Sequence, residues 1–84
     1  MADFLWREWN IQKIDHHALS TDEVEFAWSH RRDVARKHNP EYGEYYESIG
    51  RCPSGRIIKI VWRYNKDEFD NESVFVITAY GRWS

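Results

Sequence analysis

Eight side chains of this sequence have the chemistry to act together on a phosphate: Lys13, His16, His17, Arg51, Arg56, Lys59, Arg63 and Arg82. RNA can be cut without a metal when its own 2′-hydroxyl attacks the adjacent phosphorus. That reaction needs a base for the hydroxyl proton, an acid for the leaving oxygen and cations around the phosphorane. Imidazole titrates near neutrality and can serve as acid or base, while Arg and Lys supply positive charge. The same residues also have a plainer reading. A histidine at the end of a short helix serves as a partner of the helix dipole or as a half-buried filler, and an arginine after Gly55 fits a hairpin surface.

The charge distribution leaves both readings open. Net charge is −2, which argues against a nucleic-acid binder driven by overall charge. Residues 30–66, however, hold nine basic and four acidic groups, against two and six in residues 1–29 and one and four in residues 67–84. A basic centre between acidic ends suits a phosphate-facing surface or an ordinary solvated face. No metal signature is present: His16 and His17 are adjacent and would diverge on a helix, His30 and His38 are eight apart, and Cys52 has no partner thiol. Glycine is too sparse for a phosphate loop, and no serine or cysteine sits in a nucleophile setting. No cofactor is expected, and no motif supports a small-molecule substrate.

The elements that must carry these groups are legible from spacing. Phe4-Leu5-Trp6 is an apolar opening, an edge strand or a lead-in to a helix. Asn10 reads as an N-cap, with Ile11, Ile14 and Ala18 as the apolar stripe of a first short helix. Ser20-Thr21-Asp22-Glu23 reads as a capping box for a second, with Leu19 and Val24 as its hydrophobic staple and Ala27, Trp28 and Arg31 continuing one face. Residues 31–43 are polar and contain Pro40 and Gly43, which suggests a helix tail or short strand and then a turn.

Beyond Gly43 the period changes. Tyr45 to Gly50 and Ile57 to Tyr64 form a hairpin around Cys52-Pro53-Ser54-Gly55. In its second strand Ile58, Ile60, Trp62 and Tyr64 face one way, and Ile57, Lys59, Val61 and Arg63 the other. An acidic turn, Asp67 to Ser73, leads to Val74–Tyr80, whose β-branched and aromatic run suggests a central strand. The fold class is therefore α+β: two short N-terminal helices packed on an antiparallel sheet of three to four strands.

At 84 residues the chain makes one domain, residues 1–84, and a domain of this size hides only roughly 60% of its unfolded surface. Fourteen aromatic residues compensate, because each ring can bury on the order of 150–250 Å². A single cysteine fits a reducing compartment, and the sequence shows neither a membrane-length apolar run nor a signal-peptide pattern, so a cytoplasmic location is expected.

Four blocks in order resemble the BrnT-like ribonuclease toxins of bacterial type II toxin–antitoxin operons, whose compact fold is similar to the RelE and ParE toxins. They are Phe4-Leu5-Trp6-Arg7-Glu8-Trp9-Asn10 with Lys13-Ile14 and His17; Leu19-Ser20-Thr21-Asp22-Glu23-Val24-Glu25; Tyr46-Glu47-Ser48-Ile49-Gly50 with Ser54-Gly55-Arg56; and Val76-Ile77-Thr78-Ala79-Tyr80. The resemblance implies an endoribonuclease acting on RNA (mRNA, on or off the ribosome) and a cognate antitoxin protein as partner. It implies His17 as acid or base, with Lys13, Arg56 and Arg82 at the phosphate and Arg51, Lys59, Arg63 and Tyr80 as RNA-binding residues. Two features depart from the pattern. Tyr80 stands where many members carry an arginine, with little chain after it for their further helix, and members are usually more basic. A lost phosphate cation would weaken catalysis, so a non-catalytic binding module with the same fold is the rival expectation.

Overall fold

The computed structural model describes residues 3–41 and 43–81. Two helices, α1 (Glu8–Asp15) and α2 (Thr21–Ser29), precede four strands, β1 (Arg32–Asn39), β2 (Gly43–Arg51), β3 (Ile57–Lys66) and β4 (Glu72–Gly81). The strands form one antiparallel sheet in chain order, β1-β2-β3-β4. The fold is thus the α+β arrangement expected, with four strands.

Alternation along β3 sorts the sheet into two faces. Ile58, Ile60 and Trp62 are buried and point inward, together with Val74, Val76 and Ala79 of β4 and Ser48 of β2. Helix α2 lies on this inner face over β2 and β3 and adds Val24, Ala27 and Trp28 to the core. Trp28 meets Trp62 edge to face at 5.2 Å, Tyr46 stacks on Trp62 at 4.7 Å, and the Trp62 indole N–H donates to the Ser48 hydroxyl at 3.0 Å. Arg31 does not extend the helix face, because α2 ends at Ser29. Its guanidinium instead lies 3.7 Å over the Trp28 ring. The close fit of α2 on β2 rests on Gly50, where any Cβ would run into the Ala27 carbonyl.

The α2 start is the expected capping box. The Glu23 amide donates to the Ser20 hydroxyl at 3.2 Å, and the Ser20 amide to the Glu23 carboxylate at 3.1 Å. Leu19 and Val24, the staple positions, are both buried.

Helix α1 begins earlier than expected. Its N-cap is Arg7, and Asn10 is the third helical residue, fully buried. The Asn10 side chain accepts from the Arg7 amide at 2.6 Å and donates to the Leu5 and Val76 carbonyls at 3.1 Å each, so it ties the helix to β4. Of the expected stripe only Ile14 is buried. Ile11 is exposed, and Ala18 lies beyond the helix in a left-handed turn (φ 58°).

Two strand expectations also change. Residues 32–39 form a full strand, polar because β1 is an exposed sheet edge, where charged side chains discourage further pairing. The apolar run at 74–80 belongs to the other edge strand, not to a central one. It is apolar because it is covered on several sides. Val74, Val76 and Ala79 face the core, while Phe75 stacks under Trp9 on the opposite face at 5.7 Å. Near its start this edge is paired with the N-terminal segment at Val74: the Leu5 amide donates to the Val74 carbonyl (2.8 Å) and the Val74 amide to the Asp3 carbonyl (2.7 Å). No helix among the described residues is long and apolar enough to cross a membrane.

Candidate functional site

The outer face of the sheet carries most of the expected site residues. In β3, Lys59 and Arg63 alternate with the buried Ile58, Ile60 and Trp62 and so project outward. Ile49, Lys59 and Tyr80 form one row across β2, β3 and β4, and Arg51 sits beside it, opposite Ile57. On β1, Lys37 pairs with Tyr45 and Arg32 with Ile49, which extends the positive surface to that edge. Two carboxylates, Glu47 and Asp33, lie within this surface beside Lys37, Lys59 and Tyr80, and Glu47 bridges Lys59 at 2.8 Å. Lys59 and Arg63 are four residues apart, roughly 13 Å along the strand, so the cations form a track and do not converge on one point.

A second grouping flanks the track on its β4 side. Lys13, His16 and His17 leave the last turn of α1 and its exit, all exposed, and line a shallow cleft against Thr78 of β4. The two imidazoles meet edge to face at 5.3 Å, and the His17 ring lies 6.0 Å from the Tyr80 ring. His17 and Tyr80, far apart in sequence, are therefore neighbours, and Tyr80 links the imidazoles to Lys59 through its strand pairing.

Arg56 is nearby in a different capacity. Its guanidinium donates to the His17 carbonyl at 3.1 Å and to the Ala18 carbonyl at 3.3 Å, and it packs against Gly81. These bonds satisfy carbonyls left open at the end of α1 and fasten the histidine-bearing turn to the β2–β3 hairpin. Arg56 thus positions the His17 backbone, with its charge directed at carbonyl oxygens. Arg82 lies outside the described residues.

Three contributors were not anticipated from sequence: Trp9, Phe75 and Thr78. Strand alternation from Val74 and Val76 would have placed Phe75 on the outer face. Trp9 could be found only once α1 was known to start at Glu8, since the misplaced cap put it outside the helix. The Cys52 thiol is buried, and its pKa is raised first by that burial and then by Glu23, with Arg56 opposing, so it stays a protonated, unreactive filler of the β2–β3 turn. Among the described residues no three His, Cys, Asp or Glu side chains converge to hold a metal.

No protein-family model, no curated protein and no solved structure matches this chain.

Proposed function

We propose that the outer sheet face binds single-stranded RNA and that the His17 corner cleaves it without a metal, the protein acting in the cytoplasm as the ribonuclease toxin of a type II toxin–antitoxin pair. The observation that carries this reading is the placement of an imidazole pair and Lys13 alongside a cation track, next to Tyr80. Lys59, Arg51 and Arg63 would follow the RNA backbone, as cationic grooves do on single strands. His17 is the acid or base and Lys13 is a cation lining the same cleft, while Arg56 holds the His17 carbonyl.

In the reaction the 2′-oxygen forms a bond to phosphorus and the bond from phosphorus to the 5′-oxygen breaks. One proton leaves the 2′-hydroxyl for the base and another reaches the 5′-oxygen from the acid, which gives a 2′,3′-cyclic phosphate and a 5′-hydroxyl. Tyr80 donates a neutral hydrogen bond where a cation would stabilise the phosphorane more strongly; Arg82, two residues on, is the cation proposed to compensate. The substrate would be mRNA, and an antitoxin protein would hold the toxin inactive by covering this face.

A second reading, a binding module without catalysis, is favoured by one observation: Arg56 directs two N–H donors at carbonyls and Lys59 is bridged to Glu47, which leaves Lys13 as the main charge beside the imidazoles. Induced expression and an RNA cleavage panel in chelator separate the two. The toxin reading expects slowed growth and cyclic-phosphate ends, both lost in a folded His17→Ala variant. A folded, harmless protein that binds RNA without cutting it supports the binding module, and one that does neither overturns both.

A further inference from the structure

A second cleft, about 640 Å³, opens between α1 and the outer face of β4. Its floor is apolar, made by Leu5, Phe75 and Ile77, with Trp9 stacked on Phe75 at an interplanar angle of 17°. Its rim is basic. The Lys13 ammonium lies 5.0 Å from the Trp9 ring centre and the Arg63 guanidinium 5.2 Å from that of Phe75, with Arg7 at the mouth. No acidic residue lines it among those described. Trp9 is half exposed in an 84-residue protein that needs every ring it can bury.

We infer that this cleft seats one nucleotide, the base against Trp9 and Phe75 and its phosphate drawn to Lys13. An apolar aromatic floor with a cationic rim complements a ligand that has a π-face and a negative charge. Asn65, also in the lining, can both donate to and accept from a base edge. The cleft shares Trp9 and Lys13 with the one that holds His16, His17 and Thr78. A nucleotide seated here therefore places its phosphate beside the imidazoles. The inference rests on the RNA reading above and adds to it the residues that fix the base next to the scissile phosphate.

The test is calorimetric titration of the intact protein with AMP, with inorganic phosphate and with a short 2′-O-methyl oligoribonucleotide, which lacks the attacking hydroxyl. Trp9→Leu, Phe75→Leu and Arg63→Gln are compared with wild type, each shown to be folded by a single cooperative thermal transition above the assay temperature. Loss of a stacking ring is expected to weaken oligonucleotide binding about tenfold or more. AMP weakened in parallel identifies a site open to free nucleotides; the loss in the oligonucleotide alone identifies a site for a base within a strand. AMP binding without oligonucleotide binding supports the cleft while removing the RNA reading. If Arg51→Gln weakens the oligonucleotide and the ring variants do not, the cleft is refuted and the RNA face survives. Phosphate competing as well as AMP would reduce the site to bare charge and overturn it, and absence of all binding overturns both.

Discussion

The two faces of the sheet use the same residue types to opposite ends. On the inner face Trp62 is enclosed by Trp28, Tyr46 and Tyr64, its N–H is satisfied by Ser48, and Arg31 reaches over the Trp28 ring to close the cluster. On the outer face Trp9 and Phe75 also stack, and Lys13 and Arg63 also sit over rings, but that arrangement faces solvent. Aromatic–cation pairing by itself therefore does not distinguish the core from a solvent-facing surface in this protein. Enclosure distinguishes them: Trp62, at the centre of the inner set, is 2% exposed, while Trp9 of the outer set is 50% exposed with the Lys13 ammonium over its ring.

Substitutions at Trp62 and Trp9 should separate the two faces most strongly. Trp62→Ala removes a ring that is 2% exposed and is expected to cost about 3–5 kcal/mol, a large part of the ~4–13 kcal/mol available to a domain of this length. Trp9→Ala loses mainly its Phe75 stack and should cost about 1 kcal/mol. Denaturant unfolding of both variants measures the difference. Equal losses would mean that Trp9 belongs to the core and that the outer face is structural.

Gly50→Ala tests the inner face from the backbone side. The added methyl meets the Ala27 carbonyl, so α2 must shift off β2, at an expected cost of about 1–3 kcal/mol. The RNA binding proposed for the outer face should survive in the fraction that remains folded. Ser20→Ala removes the hydroxyl that caps α2 and should cost about 1 kcal/mol, seen as a lower denaturant midpoint at unchanged slope.

The sequence made α2 legible because its cap, its staple and its apolar face are all local, and β3 because its alternation is strict. Helix α1 was misplaced for a physical reason. Asn10 has the chemistry of an N-cap, yet its amide is used from the third helical position to reach the Val76 carbonyl, sixty-six residues away. The apolar run of β4 looked central because a covered edge strand and a central strand bury similar surfaces. Nothing in the local pattern reveals that Asp3–Leu5 returns to pair with that edge at Val74. At the candidate site, Lys59 and Arg63 followed from alternation. The meeting of His17 with Tyr80, and the fastening of Arg56 to the His17 carbonyl, depend on how α1 docks and could not be read from spacing.

Whether the outer face meets RNA phosphates is decided by the salt dependence of RNA affinity. Each phosphate neutralised on a single strand releases counterions and contributes about 0.7 to the slope of log affinity against log salt. Affinity for single-stranded RNA should fall steeply with salt, and Arg51→Gln and Arg63→Gln should each flatten that slope by about 0.7 or less, with unfolding unchanged. RNA affinity undetectable at low salt, or a slope that neither variant alters, would contradict the account and leave these cations as a solvated face.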